Sequence, residues 1–359
     1  MDKERIQEFV STLPLTVVEA MAQIDVHAHD AGLVFIVDNI QRLIGCITDG
    51  DIRRWILNGG QLNASVEDVM HKNPIFLHES ERNRAKMLMM EKVIRAIPIV
   101  NDSKNIIDIV LSQDGSETKE TLNSLKNIPV VIMAGGKGTR LYPYTKILPK
   151  PLIPIGDTPI VERIIDYYVD YGIEEFYMTV NYKKGMLKSY FNDLNPVYKV
   201  NFVEENKPLG TGGSIKLIEK KFDKPLFVTN CDALIRADYA DIYKHHIQYG
   251  NDITMVSALK NITVPYGVVN SGENGELLSM EEKPTLSYFI NTGMYIINPE
   301  TIDLIPDDTM FHMTHLVEKV MLRGGKVGTY PISEDSFLDM GEFEEMKRME
   351  QKLNIISDK

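Results

Sequence analysis

Three glycines in four residues, Gly135-Gly136-Lys137-Gly138, followed by Thr139-Arg140-Leu141, make up the stretch of this chain best suited by residue type and spacing to chemistry. Without Cβ atoms, backbone N–H groups can close on an anion, so such a loop at a strand end can cradle a phosphate. Arg140 and Lys150 add two cations beside it. Two better-known glycine patterns do not fit. A P-loop needs glycine at position 131 and Ser or Thr after Lys137, where this chain has Val131 and Gly138. A dinucleotide fingerprint opening at Gly136 needs glycine at position 141, which is Leu141. Taken alone, the loop says that a phosphate can sit there; an ordinary glycine turn has the same composition.

Other ionisable residues are scattered: Asp232 in Asn230-Cys231-Asp232, Lys283 in Glu282-Lys283-Pro284, Asp339 in Leu338-Asp339-Met340-Gly341. Singly, each reads as a solvated charge or a strand-end turn. The pair His27 and His29, in Asp25-Val26-His27-Ala28-His29-Asp30, looks like a metallohydrolase motif but lacks further ligands on later strands, and reads as a helix end leading into a strand from Gly32 to Val37. His245-His246 and His312 with His315 have no carboxylate or cysteine at ligand spacing and read as helix-surface residues. Methionines at helical spacing read as core filler and imply no organic cofactor.

The elements that must position these groups follow from hydrophobic periodicity. Ile128 to Met133 reads as a fully buried strand running into the glycine loop. A helix from about Thr158 puts Ile160, Ile164 and Tyr168 on one face beside Val161, Ile165 and Val169. Strands follow at Phe176 to Val180, Pro225 to Thr229 and Asp252 to Leu259, an alternation that predicts an α/β, Rossmann-like, mostly parallel sheet covered by helices. Ligands then belong at the carboxyl ends of the strands.

The first third is built differently. Ile36-Val37-Asp38 and Ile44 recur at one constant offset as Ile99-Val100-Asn101 and Ile107, each copy being an apolar strand, a polar turn and a second strand, Leu43 to Thr48 or Ile106 to Leu111. Helical periodicity precedes each hairpin, at Val17, Ala20, Met21 and Ile24, and at Met87, Met90 and Val93. Two small α+β modules result, with a polar boundary at Gln113 to Lys126, so the expected domains are residues 1–125 and 126–359. At 359 residues, 43% hydrophobic and 25% charged, the chain has length and core material for both. A net charge of −12 without a long basic run argues against nucleic-acid binding, and no apolar stretch reaches membrane-span length. Two cysteines without metal spacing and an N-terminus lacking a signal-peptide core lead to the expectation of a cytoplasmic protein.

Gly135 through Pro143, with Leu148-Pro149-Lys150-Pro151-Leu152-Ile153-Pro154, resembles the signature of the sugar-1-phosphate nucleotidyltransferases (nucleotide-sugar pyrophosphorylases), whose domain is of the GT-A type. The resemblance implies that Ala134, Gly135, Gly136, Gly138 and Thr139 wrap a triphosphate, that Arg140 meets the departing pyrophosphate and that Lys150 holds phosphate near the reacting centre. Pro208-Leu209-Gly210-Thr211-Gly212-Gly213 is similar to the family's base-facing loop, making Leu209, Gly210 and Thr211 nucleotide contacts. Gly267 in Pro265-Tyr266-Gly267-Val268, Glu282, and Asn291 and Thr292 in Asn291-Thr292-Gly293 resemble sugar-binding elements, and Lys283 the sugar-phosphate lysine. Asp232 and Asp339 resemble the carboxylates that hold Mg²⁺. Cys231 stands where the family commonly has Gly, and Phe337 where it commonly has Trp. The Asn-Cys-Asp form, with Thr179 to Lys183 and Pro265 to Val268, most resembles guanylyltransferases that make GDP-activated amino sugars for legionaminic-acid synthesis. The implied reaction is GTP plus glucosamine 1-phosphate giving GDP-glucosamine and pyrophosphate, with mannose or heptose 1-phosphate as alternative acceptors.

Residues 8 to 118 resemble a tandem CBS domain pair. Gly45 to Arg54 matches the motif in which Thr48 and Asp51 embrace a nucleotide's ribose and phosphate. In the second copy Asp114 is kept, but Leu111 stands opposite Thr48. Two readings of the pair stand side by side, a regulatory nucleotide site and a packing device; CBS pairs commonly associate, so a homo-oligomer is expected. A binding protein with a lapsed catalytic half is the competing reading of another class. The retained order of Arg140, Lys150, Asp232, Lys283 and Asp339 favours the enzyme.

Overall fold

In a computed structural model, residues 3–26, 31–92, 94–111 and 123–353 are described. The chain partitions into two compact units: Met1–Ser116 with Leu259–Tyr288 and Ser333–Asp335, and Glu117–Ala258 with Phe289–Ile332 and Ser336–Lys359.

The first unit carries the repeat. β1 (Val10–Thr12) pairs parallel with β2 (Leu33–Val37), which pairs antiparallel with β3 (Leu43–Thr48), and α1 (Val17–Val26) lies between β1 and β2 in sequence. After α2 (Asp49–Leu57), the second copy repeats the scheme with β4 (Leu77–His78), α3 (Ala85–Lys92), β5 (Ala96–Val100) and β6 (Ile106–Leu111). The likeness extends to turn chemistry. The Asp38 carboxylate accepts from the N–H groups of Ile40 and Arg42, and the Asn101 amide oxygen from those of Ser103 and Asn105. Gln41 and Lys104 both take positive φ, 65° and 62°. Each hairpin has its register shift at the matching place, between Ile36 and Val37 and between Ile99 and Val100. An Asx turn at an identical position sets an identical strand register, so the repeat seen as letters is a repeat in geometry.

The helices differ more. α1 buries Val17, Ala20, Met21 and Ile24 as the periodicity predicts. In α3 one residue of the predicted face is misplaced: Met87 is 62% exposed, while Ala85 and Met89 are buried. Eight residues allow one i, i+4 contact line, and the small Ala85 lets that line approach β5. Val93, His27, His29, Asp30, Asp114 and most of the Gln113 to Lys126 boundary lie outside the described residues. Leu259, from the unit's second segment, is buried among the α1 residues, while Lys260 Nζ donates to Glu334 of the third segment at 2.8 Å.

The second unit is an α/β sheet. Its strands are β7 (Val130–Ala134), β8 (Glu175–Val180), β9 (Lys199–Glu204), β10 (Leu226–Asn230), β12 (Ile253–Thr263), β15 (Thr285–Ile297) and β16 (Val327–Ile332), in the spatial order β9-β8-β7-β10-β15-β12-β16. β11 (Ala233–Ile235) and β17 (Phe337–Asp339) form a separate ladder; β13 (Val268–Ser271) and β14 (Leu277–Glu281) form a hairpin in the first unit. The pairs β7/β8, β8/β9, β7/β10 and β12/β16 are parallel, and β10/β15 is antiparallel. All five residues of β7 are buried, the signature of a strand covered on both faces. Helix α4 (Ile160–Val169) buries Ile160, Val161, Ile164, Ile165 and Tyr168, and the Tyr168 ring packs edgewise on Phe176 and Phe227. Further helices are α5 (Lys184–Leu194), α6 (Tyr239–Tyr249) and α7 (Met313–Leu322). No helix among the described residues is long and apolar enough to cross a membrane.

His245 and His246 are not surface residues: they are 8% and 1% exposed. The face of α6 that carries them lies over the sheet, and His246 bridges Thr254 Oγ1 at 2.9 Å and Asn298 Oδ1 at 3.1 Å. Burial lowers its proton affinity below the ordinary imidazole value of 6.5. Below that pH the unfolded chain binds more protons here than the folded one, so stability falls as pH drops. Melting at pH 7.5 and 5.5 should show a smaller acid-induced loss in His246→Gln than in wild type.

Candidate active site

Parallel register brings the strand ends together. Ala134 pairs with Val180, Val180 with Glu204, and Met133 with Asn230, so β7, β8, β9 and β10 release their next residues along one edge. Those residues are the glycine loop, Glu205 and the Asn230-Cys231-Asp232 turn, as expected for the carboxyl ends of a parallel sheet.

Each loop glycine has its own reason. A Cβ on Gly135 would lie 2.5 Å from Glu205 Oε1. One on Gly138, whose φ is +64°, would lie 2.9 Å from Thr145 Cγ2 and 3.0 Å from Lys150 Cβ. Gly136 meets nothing within 4 Å and is the member of the three that faces open space.

Asp232 and Asp339 are joined by the β11/β17 ladder. Ala233, directly after Asp232, pairs with Asp339, and Met340 N–H donates to the Asp232 carbonyl at 2.8 Å. Lys150 Nζ donates to Asp232 Oδ2 in a largely buried ion pair, with side-chain exposures of 12% and 13%. Burial raises the proton affinity of Asp339, and the Asp232 charge adds to it, against the lowering influence of Lys150 and Arg140. Gly341 leaves room between Asp339 and Arg140: a Cβ there would lie 2.8 Å from Asp339 Oδ2 and 3.3 Å from an Arg140 guanidinium nitrogen. Burial, with the Asp232 charge beside it, pushes the Cys231 thiol up to about 12, so this cysteine packs rather than attacks.

A cavity of about 300 Å³ in the second unit is lined by Arg140, Asp232, Asp339, Asn291, Thr292 and Thr211, six of the predicted residues, together with Asn230, Gly293, Tyr295, His312, Thr314 and Phe337. Thr292 is 3% exposed and its hydroxyl donates to the Val256 carbonyl at 2.8 Å, anchoring the strand rather than reaching outward. The Asn291 amide donates to Tyr295 Oη and its oxygen accepts from Gly293 N–H at 3.0 Å. Leu209 is 2% exposed.

Sequence reasoning missed two residues. Glu205, next to a solvent-facing Glu204, has no motif of its own, yet it is 5% exposed and accepts from Leu209 N–H at 3.2 Å. Burial raises its proton affinity against that hydrogen bond. It holds the Leu209-Gly210 turn while filling the space Gly135 vacates. His312 was read as a helix-surface residue and instead lines the cavity, because the glycines of Leu209 to Gly213 admit the Phe311–Met313 backbone: Gly212 and Gly213 N–H both donate to the Phe311 carbonyl at 2.9 Å.

Thr139 opens a short 3-10 turn, Thr139–Leu141, directly after Gly138; the other predicted residues not yet placed belong to the first unit. Lys283 takes φ 49° and its N–H donates to the Tyr266 carbonyl at 3.3 Å; a Cβ on Gly267 would lie 3.0 Å from Glu282 Oε2. Positive φ at a non-glycine, non-Asn residue costs energy and is concentrated at functional positions. Thr48 caps α2, and its N–H and hydroxyl donate to Asp51 Oδ2 at 3.0 and 2.6 Å. Arg54 and His71 hold Asp51 Oδ1. Burial opposes ionisation of Asp51, and the Thr48 hydrogen bonds together with His71 and Arg54 outweigh it, leaving the carboxyl below the usual range.

The nucleotidyl transferase family profile matches residues 129–354. The chain belongs to that family. It is 35% identical over 195 residues to a UTP–glucose-1-phosphate uridylyltransferase of Synechocystis sp., covering 49% of this chain and 50% of that one. It is 36% identical over 186 residues to a mannose-1-phosphate guanyltransferase of Pichia angusta, with 49% and 50% covered. The chain thus spans about half the length of these curated relatives. HddC from Yersinia pseudotuberculosis superposes with a TM-score of 0.50 at 28% identity, over 63% of this chain and 99% of HddC.

The packing of Gly135 on Glu205 generates a prediction. Gly135→Ala should destabilise the protein by collision, and Glu205→Ala by about 1–3 kcal/mol through the unsatisfied Leu209 N–H. Melts of both single variants and the double variant should be clearly non-additive, because the second change removes the group the first one strikes.

Proposed function

We propose that the chain is a sugar-1-phosphate nucleotidyltransferase that uses GTP and glucosamine 1-phosphate. The observation that carries the class is the cluster of Lys150, Asp232, Asp339 and Arg140 at the carboxyl end of the sheet, in a chain of the nucleotidyl transferase family. An oxygen of the sugar phosphate attacks the α-phosphorus, a new P–O bond forms, the bond to the β-phosphate bridging oxygen breaks, and pyrophosphate leaves. Anions must meet, so positioned positive charge does most of the work and no protein nucleophile is needed. Arg140 and Lys150 supply that charge from the second unit, and the open side of Gly136 is where backbone can approach phosphate.

Mg²⁺ fits the carboxylates. Two of them share a small volume, where burial and the Asp232 charge raise the proton affinity of Asp339 against the influence of Lys150 and Arg140, while among the described residues no group of three or more His, Cys, Asp or Glu could hold a metal by itself. That is the pattern of an ion held by few carboxylates and completed by substrate phosphates. Asp232 and Asp339 would hold it, and bound there it would neutralise phosphate charge and polarise the reacting phosphorus. The role of Lys283 toward the acceptor phosphate, and of Gly267 and Glu282 toward the sugar, rests on motif resemblance.

The guanine and glucosamine assignments are supported by the Asn230-Cys231-Asp232 form of the metal turn. Mannose 1-phosphate is the second reading, favoured by relatives named as mannose-1-phosphate guanyltransferases. Pyrophosphate release should be measured for four nucleoside triphosphates crossed with glucosamine, mannose, glucose, N-acetylglucosamine and heptose 1-phosphates, with and without Mg²⁺. Silence in every combination overturns the class. Asp232→Asn should lower turnover at least about 100-fold while the melting temperature holds; near-wild-type activity would remove Asp232 from the metal site.

For the repeat we propose a tandem CBS pair, spanning residues 1–125, that binds a regulatory nucleotide at Thr48 and Asp51 and associates as a homo-oligomer. Trp55, whose indole N–H donates to the Gln61 carbonyl at 3.0 Å, is the chain's single tryptophan and lies four residues beyond Asp51. Its fluorescence should change on titration with adenine or guanine nucleotides, and a flat trace through millimolar concentration would refute the site.

A further inference from the structure

Among the cavity-lining residues that neither the motifs nor the family resemblance assigned is a histidine. His312 is the N-cap of α7, and its ring lies over Gly210: a Cβ on that glycine, whose φ is +79°, would be 3.1 Å from both Nδ1 and Cε1 of the imidazole. The glycine therefore admits the ring. Thr211 orients it. Its N–H points at His312 Nδ1 at 3.4 Å and its hydroxyl oxygen lies 3.5 Å from the same nitrogen. That hydroxyl accepts from Met313 N–H at 3.2 Å, and the fixed donor facing Nδ1 is the Thr211 N–H. A ring nitrogen facing a backbone N–H is the acceptor of the imidazole. The ring proton then sits on Nε2, the nitrogen turned away from Thr211.

The cavity divides by chemistry. Its charged members, Arg140, Asp232 and Asp339, come from the glycine loop and the β11/β17 ladder; the members from Leu209–Gly213 and the start of α7 are Thr211, His312 and Thr314, which carry hydroxyls and an imidazole. Charge suits phosphates; Asn291 and Thr292, which the resemblance places at the sugar, line the same cavity, so a neutral donor in it, although steadied by Thr211 of the expected base-facing loop, can meet a ring hydroxyl. We infer that His312 is a specificity-determining contact, donating from Nε2–H to one oxygen substituent of the acceptor sugar, with Thr211 fixing the tautomer that makes it a donor. A donor at this point matches a hydroxyl or acyl oxygen and is mismatched with an ammonium, so it reads a position other than the amine of an amino sugar.

This inference rests on the sugar-1-phosphate reading, and its test separates the two. Wild type, His312→Ala, His312→Gln and His312→Asn are assayed with the preferred sugar 1-phosphate and with analogues each lacking one ring hydroxyl. A glutamine amide reaches roughly where Nε2 stands, and an asparagine amide only where Nδ1 stands. His312→Ala and His312→Asn should raise the KM for the sugar phosphate about tenfold, with the KM for the triphosphate changed less than about twofold, and His312→Gln should recover most of the loss. One deoxy analogue should cost wild type about tenfold and His312→Ala nothing further, since the interaction is already gone. Thermal melts of each variant separate folding from contact, and His312→Gln against His312→Asn carries the test where the alanine variant unfolds. Equal losses on every analogue, a shift in the triphosphate KM alone, or no difference between Gln and Asn overturns the role of His312 while leaving the enzyme class standing. Silence of the wild type toward every sugar phosphate overturns both.

Discussion

Two carboxylates held in one small volume set the terms for their surroundings. The β11/β17 ladder puts Asp232 and Asp339 side by side whether or not that is electrostatically comfortable, and burial adds to the strain on Asp339. Lys150 is the immediate answer, paired with Asp232 in a place where neither side chain sees much water. Arg140 is the second, brought near Asp339 because Gly341 has no side chain. The pairing leaves a dense set of opposed charges at a cavity, which suits phosphates and cations and excludes an apolar ligand.

The glycines look alike in the sequence and do different work. Gly135 gives way to a buried carboxyl, Gly138 takes a left-handed conformation against Lys150, and Gly210 to Gly213 let a second chain segment come within hydrogen-bond distance. Of the first loop, Gly136 keeps its open side. A glycine-rich loop is thus as much a packing solution between neighbouring loops as a phosphate cradle, and substitution at each position tests a separate cause.

How much was legible follows from how local each signal is. The buried strand into Ala134, the face of α4 and the duplicated hairpins could be read because a few consecutive residues determine them, down to the Asp38 and Asn101 turns. The glycine loop, Arg140 and the two aspartates were legible through family order. Glu205 and His312 were not, since their burial depends on partners far along the chain: Gly135 in one case, Gly210 and Thr211 in the other. His245 and His246 failed for a similar reason, a helix face covered by the sheet where the letters showed only two polar residues. α3 was misread because eight residues are too few for periodicity to settle which methionine points inward.

The composition of the first unit from three separated chain segments has a bearing on synthesis. The repeat emerges first, but Leu259, which is buried with Val17, Ala20, Met21 and Ile24, and Glu334, which holds Lys260, are made only after most of the parallel sheet. Strict N-to-C folding cannot finish this unit. Most of the α1 face is covered within the repeat by Val34, Ile36, Ile47 and Ile52, but the place Leu259 fills stays open until more than half the chain is translated, a small apolar gap of the kind that chaperones engage.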